Sequence, residues 1–111
     1  MNTREYFESG ELMVELVHLS DDQQIKKMYF KSGALLAEIE YVRGEPTRFV
    51  EWDESGVLRM RGSKIGDKLH GKFQSWWRTG VKKEDGSYDQ GRRLPGYRWF
   101  TEDGLISSEI E

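Results

Sequence analysis

Five glycines punctuate this chain at almost constant distance: Gly10, Gly33, Gly56, Gly80 and Gly104, separated by 23, 23, 24 and 24 residues. Each follows a small or turn-forming residue (Ser9, Ser32, Ser55, Thr79, Asp103), and each has an aromatic four positions before it: Tyr6, Tyr29, Trp52, Trp76 and Phe100. Two positions after it comes Leu12, Leu35, Leu58, Lys82 or Ile106. A fixed period in this range, with three columns agreeing at once, means a repeat array. The repeat bounds five units, at about residues 4–25, 26–47, 48–70, 71–94 and 95–111, in a single domain.

Turn chemistry says what each unit is. A three-residue hairpin loop uses a type I turn followed by a left-handed residue, which glycine adopts without steric cost. With the glycine there, the residue three before it pairs with the residue one after it. The next pair outward sets Tyr6 against Leu12, Tyr29 against Leu35, Trp52 against Leu58, Trp76 against Lys82 and Phe100 against Ile106. The expected fold is therefore all-β: five tandem hairpins in one elongated, twisted antiparallel sheet. Helix remains the competing reading for 11–19 and for ALLAEIEYV in the second unit, where helix formers are dense.

Strand alternation assigns the two faces. The aromatics at minus four, with Gly10, Gly33, Gly56, Gly80 and Gly104 at the turns, read as a structural spine. After the first turn Leu12, Val14, Leu16 and His18 fall on one side, as do Leu35, Ala37, Ile39 and Tyr41 after the second. Phe49, Phe73, Trp77, Tyr97 and Trp99 fall on the side opposite the spine. With Arg59, Arg61 and Lys83 they read as an aromatic–basic surface of the kind that anchors partners. The alternative is that curvature or dimerisation buries both faces. The later glycines Gly62, Gly66, Gly71, Gly86, Gly91 and Gly96 read as bulges or close backbone approaches.

Charge is distributed unevenly. Residues 1–56 hold six Lys/Arg against twelve Asp/Glu, and residues 57–111 hold eleven against eight. Solvated strand faces account for this, as would a bipolar surface that orients a charged partner. The basic residues and aromatics of 59–98 raise nucleic acid as a ligand, but the net charge of −3 argues against binding dominated by phosphate contacts. Absence of cysteine excludes disulfides and thiolate metal sites. His18 and His70 show no metal-ligand spacing, the serines are turn residues, and no phosphate-binding glycine loop occurs. No catalytic residue, metal or cofactor is expected. The polar start, without an apolar h-region, makes the cytoplasm the expected compartment.

GSYDQGRRLPGYRWFTEDG, and less closely GSKIGDKLHGKFQSWWRTG, resemble bacterial MORN-type repeats of the variant found in YwqK-like proteins. The resemblance covers residues 49–106 well and 4–48 loosely. It implies an open sheet of successive hairpins without catalytic residues. It further implies an antitoxin of a toxin–antitoxin system, or an immunity-type protein, that neutralises a protein partner (a toxin or effector). A membrane- or lipid-associated scaffold using basic residues on anionic headgroups is the alternative, and a homodimer is compatible with either.

Overall fold

A computed structural model describes residues 2–111. Eleven strands form one antiparallel sheet in hairpin order. The first hairpin is β1 (Thr3–Tyr6) and β2 (Leu12–His18); the second is β3 (Gln23–Tyr29) and β4 (Leu35–Val42). Then come β5 (Glu45–Trp52) with β6 (Leu58–Ile65), and β7 (Lys68–Trp76) with β8 (Lys82–Asp89). After the two-residue β9 (Arg92–Arg93), β10 (Arg98–Phe100) and β11 (Ile106–Glu109) complete the fifth hairpin. No described residue is helical, so both segments with helical composition are strands. Their cross-strand pairing overrides propensity, which is a weak preference beside tertiary contact.

The turns follow the expected geometry. Phe7, Phe30, Asp53, Trp77 and Thr101 each donate their N–H to the carbonyl of the residue just after the turn glycine, and each glycine N–H returns to the carbonyl of the residue three before it. The five glycines have φ between 88° and 105°. The pairs Tyr6–Leu12, Tyr29–Leu35, Trp52–Leu58, Trp76–Lys82 and Phe100–Ile106 all form. At the opposite end of the sheet, Arg43–Gly44 and Gln90–Gly91 take positive φ at both residues, as a two-residue type I′ turn requires.

One regular feature departs from the simple alternation. In every hairpin the register shifts immediately behind the aromatic–aliphatic pair: Tyr6 faces Leu12, yet Glu5 faces Val14. The extra residue is Met13, Leu36, Arg59, Lys83 or Ser107, a β-bulge repeated five times. Each bulge reverses the facing of the rest of its strand. Leu12 therefore stays on the side of Tyr6, while Val14, Leu16 and His18 share the other side; Leu35 is likewise separated from Ala37, Ile39 and Tyr41.

The two faces consequently exchange the roles that alternation gave them. The buried side chains are Phe73, Tyr88 and Tyr97, with Phe49, Met60, Leu69, Trp99 and Ile110 packed against them. Their rings form a chain, Phe49–Phe73–Tyr88–Tyr97–Trp99, with centroids 6.4, 5.7, 5.4 and 4.8 Å apart. The minus-four aromatics are not the spine of this core: Tyr29, Trp52, Trp76 and Phe100 are half-buried, and Tyr6 is 56% exposed. Two glycines explain the choice of face. Gly62 lies between Phe49 and Phe73 in register, and Gly86 lies opposite Phe73 and under Tyr97. Lacking side chains, they let rings cross from strand to strand. Only these two of the later glycines are close approaches. Gly66, Gly91 and Gly96 have positive φ at turns and connections, and Gly71 has it where β7 loses register with β6.

Candidate binding surface

The opposite face carries a ladder of charge. Arg4 and Glu15 meet at 2.9 Å, Arg98 and Glu109 at 3.1 Å, and Lys82 and Asp85 at 2.8 Å. Arg61 lies on this side, its Nε donating to Gln74 Oε1 at 2.9 Å and its guanidinium 5.4 Å from the Trp76 ring. The expected grouping of Arg61 with the aromatic surface is therefore wrong, because the bulge at Arg59 turns it to the other face. Burial alone would raise the Asp85 carboxyl, but the hydrogen bond and charge of Lys82, with Lys72 beyond, hold it below its ordinary value. Lys82 thus spends its charge on Asp85, and the cation over Trp76 is Arg61.

On the aromatic face, Phe73 and Tyr97 are 6% and 0% exposed and cannot meet a partner directly. Phe49 and Trp99 are partly buried against the same cluster. Tyr97 Oη donates to Glu84 at 2.9 Å and stands 3.4 Å from Tyr88 Oη. Burial, reinforced by its hydrogen bonds to Tyr88 and Glu84, pushes the Tyr97 phenol far above its ordinary value. Over this cluster lies Arg93, its guanidinium 5.5, 5.1 and 5.2 Å from the rings of Tyr88, Tyr97 and Trp99. Phe49, Phe73, Tyr97 and Trp99, expected as partner anchors, are thus core residues, closed over by the chain's own arginine.

Trp77, Arg59 and Lys83 come together at the turn end of the same face. Lys83 Nζ sits 4.7 Å over the Trp77 ring, and Trp77 Nε1 donates to the Phe100 carbonyl at 3.1 Å. Arg59 Nε donates to the Trp76 carbonyl at 3.0 Å. Arg59 and Lys83 are both bulge residues, and they line an open groove of ≈ 380 Å³ with Leu36, Glu51, Met60 and Glu84. The groove crosses five adjacent strands, β4 to β8. Among the described residues neither Arg59 nor Lys83 forms an ion pair.

Residues 69–90 match a model of the MORN repeat variant. The match spans the fourth hairpin, with Phe73, Gly80, Gly86 and Tyr88. A MORN repeat indicates a repeat-type binding module. The crystal structure of TarM shares the fold, with a TM-score of 0.57 at 6% identity over 84% of this chain and 19% of the TarM chain. No curated protein matches the chain.

Several features of the fourth and fifth hairpins escape the repeat register. Tyr88 is a core residue, and Arg93 caps three rings. A usable signal was present: Phe49 and Phe73 each precede a glycine, Gly62 and Gly86, by the same 13 residues. That offset marks an aromatic and a glycine meeting across a hairpin. His70 and His18 are side-chain partners within the sheet, His70 Nδ1 accepting from the Gln90 N–H at 3.2 Å and His18 lying 3.2 Å from Gln24. Among the described residues, no group of three or more His, Asp or Glu is placed to hold a metal ion.

Proposed function

We propose that this chain is a non-catalytic module that binds a protein partner through the turn-end groove. The observation that carries the reading is the pair of cations, Arg59 and Lys83, held in place beside Trp77 with neither, among the described residues, in a direct ion pair. Lys83 rests on an indole and Arg59 is tethered by one N–H, so both are ordered before a ligand arrives. Pre-ordered arginine, lysine and tryptophan suit an extended or loop segment whose carboxylates meet the two cations, in a groove lined by the apolar Leu36 and Met60 as well as by Glu51 and Glu84. The length of the groove across five strands favours a polypeptide over a small molecule. Occlusion of an acidic segment of the partner is how such a module would neutralise a toxin or effector. The antitoxin or immunity-type role rests on the YwqK-like resemblance.

Capture from an extract of the native organism tests it, comparing the parent with Arg59→Glu/Lys83→Glu and with Arg61→Glu on the other face. The expected result is a specific protein retained by the parent and by Arg61→Glu, and lost by the double variant. Retention of that protein by a folded double variant would overturn the groove. Binding to anionic vesicles with no protein retained would replace the reading with a lipid-associated scaffold.

A further inference from the structure

Four junctions between successive hairpins are built into the sheet: β2 with β3, β4 with β5, β6 with β7, and β8 with β10. All four use one register. The residue four after a turn glycine faces the residue five before the next one: Val14–Met28, Ala37–Glu51, Met60–Ser75 and Glu84–Trp99. The outer edges of β1 and β11 are the two halves of a fifth such junction, and among the described residues no strand pairs with either. From this we infer that the chain associates head to tail, β11 of one copy pairing with β1 of the next in that register.

The register places Ser108 opposite Glu5, Glu109 opposite Arg4 and Ile110 opposite Thr3 of the next copy. Charge agrees with it. On the polar face Asp85, Arg98 and Glu109 follow one another across β8, β10 and β11. Arg4, Glu15, Lys27 and Glu38 follow one another across β1 to β4. Each run alternates in sign, and the ends exposed at the edges are Glu109 and Arg4. Joining them continues the alternation through the junction. Pairing like edges in register sets Glu109 against Glu109, or Arg4 against Arg4, which cross-strand electrostatics disfavours. The acids of the last hairpin therefore block one mode of edge pairing and favour the other.

Backbone and apolar surface point the same way. The Ile110 N–H bonds inward to the Tyr97 carbonyl at 2.9 Å, so antiparallel alternation directs the N–H and C=O of Glu109 outward. Tyr6 and Ile106 are 56% and 53% exposed, while Tyr29, Trp52, Leu35 and Leu58 at equivalent positions inside the array are half-buried. Contact between the two edges would bring Tyr6 and Ile106 to the burial of their counterparts. A heterologous contact of this kind does not close on itself by a two-fold axis, so association runs past the dimer, into a ring or an open array.

Light scattering and sedimentation of the purified chain over a concentration series test it, with Arg4→Glu, Glu109→Arg and an equimolar mixture of the two variants. The parent's weight-average mass is expected to rise with concentration past that of a dimer. Each variant alone faces like charge across the junction, and its association is expected to weaken about tenfold. The mixture restores opposite charges at both kinds of junction and is expected to regain the parent's mass, a readout that a folding defect cannot produce. A parent that stays monomeric throughout overturns the inference. So does a plateau at the dimer mass that neither reversal changes, and so does a mixture no heavier than its components.

Discussion

Gly86 shows how much one absent methyl group decides. A Cβ there would stand 2.7 Å from Tyr97 Cγ and 2.8 Å from Tyr97 Cα, and the second of these is backbone. At Gly62 the nearest atom is Phe49 Cζ at 2.9 Å, the far end of a ring that can swing. Gly86→Ala is therefore expected to cost about 3 kcal/mol as an overpacked core position, and Gly62→Ala distinctly less. Thermal melts of the two variants beside the parent check the ordering. Tyr97 itself supplies a pH dependence. Its folded pKa lies above the unfolded value of 10.0, so the folded chain holds a proton that the unfolded chain releases. The stabilisation is fully present below pH 10.0 and is lost as pH rises toward the folded value, by about 1.4 kcal/mol per unit. Denaturant midpoints between pH 9 and pH 11 should fall for the parent and fall less for Tyr97→Phe.

At the scale of the element, the hairpin was legible because its turn is local chemistry. Type I geometry closing on a left-handed glycine needs only residues 8–10 or their equivalents, and the pairing next to the turn follows from it. The bulge behind that pair was not legible. Met13, Leu36, Arg59, Lys83 and Ser107 share no residue type, because the register next to the tight turn sets the bulged position and the side chain there does not. The bulge reverses the facing of each second strand, which puts Arg61 on the charged face and leaves the minus-four aromatics outside the core. The candidate site was legible at the turn end alone, at Trp77 and at the bulge residues Arg59 and Lys83. Gly80 has φ of 93° with open space around it, so substitution there tests conformation alone. Gly80→Val is expected to destabilise by about 2 kcal/mol through the left-handed conformation, whereas Gly80→Asn, a residue that tolerates it, costs less. Equal melting of the two variants would mean that the turn tolerates valine's branch.

The whole molecule is a plate, 46 × 31 × 18 Å, and its packing is uneven along its length. Phe73, Tyr88 and Tyr97 all lie in the fourth and fifth units, whereas the first four strands bury only Ala37 to the same degree. The physical cause is in the repeat columns. At the positions where later units place Phe49, Phe73 and Tyr97, the first two units place Thr3 and Lys26, and where later units place Gly62 and Gly86, they place Leu16 and Ile39. Without ring and glycine facing each other, those strands keep their hydrogen bonds but lack interlocked side chains. In a repeat array each unit is stabilised chiefly by its neighbours, so local opening should grade with distance from the aromatic cluster. Amide hydrogen exchange is expected to be slowest in β7 and β8, at Phe73, Gln74 and Tyr88, and fastest in β1 and β2. Tyr97→Leu, which removes the phenol and its bond to Glu84, should lower protection in β7, β8 and β10 while leaving β2 to β4 nearly unchanged. Protection that is uniform across the five hairpins, or that falls everywhere together in the variant, would mean that the sheet opens as one cooperative unit and that the aromatic cluster does not set its local stability.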